Sequence, residues 1–146
     1  MKLPADLHPA LLDRFMTAQG KGLVARMGIE ILELSATYSV ARMPVEGNEQ
    51  TIGILHGGAH VVLGETLGSL SSAVHGGPDR FPVGIEINAT HSKSISEGWV
   101  IGTCEALSLG RTLCTHEIVM RNEAGERLST VRMTNYLRDI SRRPKV

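Results

Sequence analysis

The sequence lacks the features that mark membrane, secreted and nucleic-acid-binding proteins. No apolar run approaches the roughly 18–20 residues that a transmembrane helix needs. Asp6 and Asp13 interrupt the apolar stretch at the N-terminus, which therefore lacks the apolar core of a signal peptide. Lysine plus arginine and aspartate plus glutamate number 15 each, and zero net charge does not suggest a phosphate-backbone binder. We therefore expect a cytoplasmic protein that binds neither membranes nor nucleic acid.

Cysteines are equally scarce. Cys104 and Cys114 are too few for a disulfide scaffold or a zinc site, so we expect two reduced thiols in strands. The sequence contains no phosphate-binding glycine loop, metal-ligand cluster or dinucleotide fingerprint, so we expect no metal and no bound redox cofactor. Because the 146 residues contain no repeat, low-complexity tract or linker, we expect one domain over residues 1–146.

The hydrophobic pattern predicts a helix, two strands, a long helix and four further strands. Apolar residues at helical spacing place the first helix at about residues 5–18, and Gly20 and Gly22 end it. Residues 23–45 favour two strands joined by a turn, and residues 57–75 favour the long, unusually apolar helix. A pattern of period two and hairpin turns predict the remaining strands at about 83–90, 98–108, 111–122 and 126–138.

This order of elements indicates an α+β fold, in which one long helix packs against a curved antiparallel sheet of about five or six strands. A single helix cannot cover such a sheet and also be covered on its own other side, so we expect an oligomer. Gly64 and Gly68 each lower helix propensity by about 1 kcal/mol relative to alanine. A close backbone approach would explain both glycines.

The segment His56-Gly57-Gly58 lies where a polar loop becomes the long helix. The first N–H groups of a helix have no internal partner and lie at the positive end of its dipole. They can therefore polarise a carbonyl oxygen and stabilise the oxyanion that forms on attack. Glycine permits the close backbone approach that this requires. The alternative is that His56 is a cap or a packed histidine and that the glycines only form a turn.

Glu65 follows two turns later, among hydrophobic neighbours. Burial of a carboxylate there would be costly and would raise its pKa, as suits a general base or a nucleophile. Ser69 is four residues further on, hence on the same helix face, where it could bind the carboxylate or an attacking water. The alternative is that Glu65 faces solvent on a thin polar stripe and that Ser69 is a small packing residue.

The chain resembles the hotdog-fold acyl-CoA thioesterases, particularly the subgroup that acts on aryl and aroyl thioesters and carries a catalytic Glu on the central helix. The resemblance extends from about Met27 to Leu137. Its most specific part is an HGG motif followed by a Glu nine residues after the His, with Gln50 six residues before the His. The segments that carry it are MGIEILEL, ARMPV, GILHGGAHVVLGETLGS and INATHSKSI.

The resemblance implies a site at the start of the central helix that binds the thioester carbonyl. Gly57 N–H would bind the carbonyl oxygen, and Gly58 would line the site beside it. Gln50 would polarise the carbonyl or orient the thioester, and His56 would support the loop.

The resemblance also implies the attacking groups. Glu65 would activate water or attack the thioester itself, and Ser69 would position the water or the carboxylate. His91, in the NATH run, would contact the acyl group or the water. Its alternative is an exposed histidine at the end of a strand. The implied reaction hydrolyses an acyl- or aryl-CoA thioester, or a carrier-protein thioester, to a free acid and a thiol.

Two basic residues could bind the phosphates of coenzyme A. Gly110-Arg111-Thr112 resembles the hairpin that many family members place near coenzyme A, and Arg111 could pair with a phosphate. Lys93, two residues after His91, could do the same. For both residues a solvated surface charge remains the alternative.

The spacing along the helix suggests that two subunits share each site. Gly57 and Glu65 are about 12 Å apart along the axis, yet donor and attacking group must meet at one small carbonyl group. Two antiparallel helices could bring Gly57 of one chain near Glu65 of the other, and Gly64 and Gly68 would allow them to approach closely. The resemblance also implies a homodimer, which often pairs into a homotetramer.

Two other functions remain open. His56 and Glu65 could be the acid and base of a hotdog enoyl-thioester hydratase or dehydratase, although Gln50 and Ser69 match the hydrolases. A non-catalytic acyl-CoA sensor would need a DNA-binding module, and only about 22 residues precede the first predicted strand. The acyl or aryl group itself cannot be read from the sequence.

Overall fold

The computed structural model describes residues 1–18 and 20–142. The main elements of this part of the chain are a six-stranded antiparallel sheet and a long helix. The helices are α1 (Pro9–Ala18), α2 (Gly22–Arg26) and α3 (Gly57–Gly76). The strands are β1 (Glu30–Glu33), β2 (Tyr38–Pro44), β3 (Arg80–His91), β4 (Trp99–Leu109), β5 (Leu113–Arg121) and β6 (Arg127–Asp139), and the 3₁₀ turn Ile140–Arg142 follows. The strand order is β1-β2-β4-β5-β6-β3. The predicted α+β architecture is confirmed.

The long helix and the strands after it lie close to their predicted positions, but the N-terminal third differs. Helix α1 begins at Pro9, and α2 occupies a segment that we had assigned to a strand. Gly22 and Gly28, with φ of 67° and 66°, bracket this single helical turn. Their left-handed backbone starts and stops the turn, and Val24 packs against the core. Two flanking glycines thus override the strand propensity of a short apolar run.

One face of α3 packs directly on the sheet, and two glycines set the distance. A Cβ at Gly64 would lie 2.8 Å from Val131 Cγ1, and one at Gly68 would lie 3.0 Å from Met133 Sδ. Both neighbours belong to β6, so the predicted close approach exists. It lies between helix and sheet, and the expectation that these glycines face a second helix is wrong.

The flank of α3 beside β3 and the outer edge of β3 remain uncovered in the protomer. Glu65 is exposed there, and the nearby apolar side chains of Leu23 and Ile85 are 56% and 58% exposed. Strand β3 pairs with β6 on one side, and none of the described strands pairs with its other side. Within residues 1–18 and 20–142, no helix has the length and apolar character required to cross a membrane.

Candidate active site

The start of α3 leaves one backbone donor available. His56 is the N-cap residue, and its Nδ1 accepts a hydrogen bond of 2.8 Å from the N–H of Gly58. The N–H of Ala59 donates to the His56 carbonyl at 2.9 Å. The described residues supply no partner for the N–H of Gly57, which therefore remains free to bind a ligand. The N–H of Gly58 is not available in the same way, because it already donates to His56, and substrate binding by Gly58 stays a prediction.

The imidazole of His91 lies directly against Gly57. A Cβ built on Gly57 would be 2.9 Å from His91 Nε2, so a larger residue at this position would displace the ring. His91 is the last residue of β3, and its Nδ1 lies 3.0 Å from the hydroxyl of Ser129 on β6. This contact fixes the ring beside the helix start, although the residue as a whole is exposed.

A cavity of about 290 Å³ opens at this helix end, and we call it the Gly57 cavity. Its walls are the loop before α3, the first turn of α3 and the segment after β3. Four residues singled out from the sequence line it, namely Gln50, Gly57, His91 and Lys93. The fold thus brings together Gln50 and Gly57, expected at the thioester carbonyl, with His91, expected at the acyl group or the water, and Lys93, expected at a phosphate.

His60 also lines this cavity, although the sequence pattern does not single it out. It is 4% exposed, and its Nδ1 has no hydrogen-bond partner among the described residues. Its ring centroid lies 5.3 Å from that of His91. Burial, and then the neighbouring His91, lowers the pKa of His60 to about 4, so the ring is neutral at neutral pH.

Glu65 lies outside the Gly57 cavity. Its side chain is exposed in the protomer, so the expected burial is wrong for a single chain. With Leu23, Val62 and Ser69 it lines an open groove along α3, which we call the Glu65 groove. The groove and the Gly57 cavity share no lining residue. One protomer therefore does not bring its own Gly57 and Glu65 together.

Ser69 lines the same groove, but its hydrogen-bond partner is Asn135 and not Glu65. Its hydroxyl donates to Asn135 Oδ1 at 3.4 Å, a long hydrogen bond. Asn135 is fully buried on β6, and its Nδ2 has no partner among the described residues. Asn135 was missed as well, although a polar residue at an inward position of an alternating strand is a detectable signal.

Lys93 and Arg111, the two residues that could bind the phosphates of coenzyme A, lie in different parts of the protomer. Lys93 lines the Gly57 cavity and forms an ion pair with Glu126. Arg111 is exposed in the turn between β4 and β5, next to Gly110, whose carbonyl lies 3.0 Å from His75 Nε2 in the last turn of α3. Because the 20 residues of α3 span about 30 Å, Arg111 is far from Gly57 of the same protomer.

The cysteines are poor candidates for a nucleophile. Cys104 and Cys114 are free and buried, as predicted. Burial raises the pKa of Cys104 to about 12 and also raises the pKa of Cys114, so both thiols stay protonated at neutral pH. Across residues 1–18 and 20–142, no group of three or more His, Cys, Asp or Glu residues is placed to hold a metal ion.

Comparisons with known proteins identify the family. The model of the thioesterase superfamily matches residues 52–129, more than half of the chain. A putative esterase of Deinococcus radiodurans is 40% identical over 130 residues, which cover 86% of this chain and 82% of that protein. The proofreading thioesterase EntH of Klebsiella pneumoniae is 42% identical over 112 residues, which cover 76% of this chain and 82% of EntH.

Solved structures agree with the sequence matches. A thioesterase from Haemophilus influenzae superposes with a TM-score of 0.84 at 29% identity, over 92% of this chain and 94% of that one. A thioesterase from Pseudomonas aeruginosa gives a TM-score of 0.82 at 30% identity, over 88% of this chain and 94% of that one. The chain belongs to the hotdog-fold thioesterase superfamily and is a thioester hydrolase.

Proposed function

We propose that the protein hydrolyses an acyl- or aryl-CoA thioester, with the carbonyl bound in the Gly57 cavity. The observation that carries this proposal is the free N–H of Gly57 at the start of α3, beside His91 and in a cavity of about 290 Å³ that has room for the thioester group. An N–H at this place is aligned with the helix dipole, so it stabilises negative charge on a carbonyl oxygen. Gln50, on the cavity wall, orients the thioester.

Glu65 supplies the attack on the carbonyl carbon. As a general base it takes a proton from water while the water oxygen forms the new C–O bond, and as a nucleophile it forms an acyl anhydride that water then cleaves. In either case the tetrahedral oxyanion collapses, the C–S bond breaks and the thiolate leaves; it takes its proton from Glu65 in the first route and from solvent in the second. Ser69 lines the same groove and positions the carboxylate or the water. No electrons are exchanged, so the reaction needs no redox cofactor.

The site needs two protomers, because the Gly57 cavity and the Glu65 groove are separate in one chain. We propose an obligate homodimer at least, with a homotetramer as the larger assembly. The exposed stripe of α3 around Glu65 and the unpaired edge of β3 form the expected contact surface. In the dimer Glu65 of one chain lies at the cavity of the other, where loss of water strengthens its interaction with the substrate.

Coenzyme A and an aryl or medium-chain acyl group form the proposed substrate. Lys93, on the rim of the Gly57 cavity, can exchange its partner Glu126 for a phosphate. Arg111 can reach a coenzyme A bound at Gly57 only from another protomer. We further propose that residues 1–146 act as one domain and that the protein works in the cytoplasm.

Release of free thiol from a panel of thioesters tests the proposed function. The panel contains benzoyl-, 4-hydroxybenzoyl-, phenylacetyl- and hexanoyl-CoA, together with one carrier-protein thioester. We expect release from at least one substrate at a rate that is proportional to enzyme concentration. An enoyl-CoA is the control for hydration. Hydration of the enoyl-CoA without hydrolysis of any panel member would contradict the proposal. The structure argues against a hydratase role for His56, because its Nδ1 already accepts the helix-capping hydrogen bond from Gly58.

The substitution His91→Ala tests whether the histidine beside Gly57 acts on the substrate. We expect turnover to fall by about tenfold or more, or the preference among the panel to change, because the ring borders the carbonyl position. His8→Ala, which removes an exposed histidine at the start of α1, is the matched control. Unchanged rates for His91→Ala across the panel, with an unchanged thermal midpoint, would make His91 a surface histidine only.

A further inference from the structure

His60 is the one buried titratable group in the Gly57 cavity that the reaction described above leaves without a role. A buried polar atom without a partner destabilises the fold, so its retention needs a reason. Nothing among the described residues accepts from or donates to its Nδ1. Its ring lines the cavity that also contains the free N–H of Gly57.

The helix geometry directs the His60 side chain toward Gly57. His60 follows Gly57 by three residues, and the side chain of a helical residue leans toward the helix N-terminus, over the preceding turn. The position of its ring agrees, because the centroid lies 5.3 Å from the ring of His91, which itself contacts Gly57. The imidazole of His60 therefore stands within one helical turn of the expected carbonyl position.

The burial of Nδ1 determines which nitrogen carries the proton. An enclosed N–H donor without an acceptor is costlier than an enclosed acceptor without a donor, since a bare lone pair is tolerated more often. The favoured tautomer therefore leaves Nδ1 unprotonated and carries the hydrogen on Nε2, the ring nitrogen that can reach the cavity. A neutral N–H donor facing an oxyanion position is the second half of a two-donor oxyanion hole.

We propose that His60 is a further catalytic residue, which donates from Nε2 to the thioester carbonyl oxygen beside the N–H of Gly57. This inference rests on the proposed function of the cavity. The donor keeps its proton throughout, so the step adds no proton transfer: the hydrogen bond shortens as charge develops on the oxygen and relaxes when the thiol leaves. Burial lowers the pKa of His60, and the ring therefore stays neutral over the physiological range.

The charged surroundings agree with a neutral donor. His91 from β3 faces the His60 ring, and Lys93 after β3 lines the same cavity while paired with Glu126. Burial opposes protonation of the His60 ring, and the neighbouring His91 opposes it as well. The imidazole therefore supplies a donor without a permanent charge that would bind a carboxylate product.

Two substitutions separate the donor from the packing of the ring. His60→Leu keeps an apolar side chain of similar reach and removes the donor, whereas His60→Gln places an amide N–H at about the distance of Nε2. We expect His60→Leu to lower kcat by about 10- to 10²-fold with little change in KM, because the lost bond strengthens only in the transition state. His60→Gln should recover most of that loss.

Imidazole nitrogen NMR of the full-length wild-type protein provides a readout that does not depend on turnover. We expect the His60 ring to remain neutral, with its proton on Nε2, between pH 8 and about pH 5. A ring that protonates near its ordinary value of about 6.5, or that carries its proton on Nδ1, would overturn the proposal.

The kinetic outcomes distinguish this inference from the proposed function. If the wild-type protein hydrolyses no member of the thioester panel, the proposed function fails, and the NMR tautomer still reports on His60. If the wild type is active and His60→Leu matches its kcat, or if folded His60→Gln is no better than His60→Leu, only the role of His60 is refuted. If His60→Leu does not fold, the turnover of His60→Gln and the NMR titration of the wild-type protein together decide whether His60 acts as the donor.

Discussion

Replacing Glu65 by Gln should lower turnover by about 10²–10⁴-fold or more, whichever thioester serves as substrate. The amide keeps the size of the side chain and removes its charge and basicity, so it can neither accept a proton from water nor attack the carbonyl. Stability should change little, because no described residue of the same protomer forms an ion pair with Glu65 and a neutral amide is easier to bury at the subunit contact than a carboxylate. Steady-state kinetics and a thermal melt measure the two effects.

Glu105→Gln is the matched control for the loss of one carboxylate. Glu105 is an exposed residue of β4 and lines neither the Gly57 cavity nor the Glu65 groove. Its variant should keep wild-type kinetics. If Glu65→Gln retained more than about a tenth of wild-type turnover, Glu65 would be neither base nor nucleophile, and another group would have to activate the water.

A second large loss of turnover is expected when Gly57, the proposed carbonyl-binding residue, is replaced. Gly57→Val adds a Cβ that would lie 2.9 Å from His91 Nε2, and its two methyl groups fill space in the Gly57 cavity. The N–H remains, but the carbonyl oxygen can no longer approach it closely. Because displacement by about 1 Å costs about 10²-fold, turnover should fall by that amount or more.

Gly76→Ala is a matched control at the far end of α3. The added Cβ would lie 3.2 Å from Leu137 Cδ2, away from both halves of the site. It should alter the thermal midpoint modestly and leave turnover within a few-fold of wild type. A Gly57→Val protein that is folded and retains more than about a tenth of wild-type turnover would show that the carbonyl is not bound at this helix start.

The sequence predicts the elements whose residues repeat regularly. The apolar spacing of residues 57–75 and the alternation after Arg80 each extend over many residues, so α3 and the four strands from β3 to β6 lie close to their predicted positions. The position of the loop before α3 follows as well. That is why Gln50, Gly57 and His91 could be placed in one site before their contacts were known.

Features that depend on contacts between distant residues could not be predicted. Glu65 has hydrophobic neighbours in sequence, yet it lies on the flank of α3 beside Gly84 of β3, where the protomer leaves it exposed. Gly64 and Gly68 show that the chain needs a close approach, but the approaching element is β6. His60 is a polar residue of α3, and its burial becomes apparent only when helix and sheet are packed together.

Mixing two inactive variants tests most directly whether each site combines Gly57 of one chain with Glu65 of the other. Glu65→Gln and Gly57→Val chains are unfolded, mixed in equal amounts and refolded together, and a tag on one chain confirms heterodimers. Each heterodimer then contains one intact site, so turnover should recover to about one quarter of the wild-type value per protomer. Turnover that stays at the level of the separate variants, despite confirmed heterodimers, or a fully active monomer, would contradict the shared site.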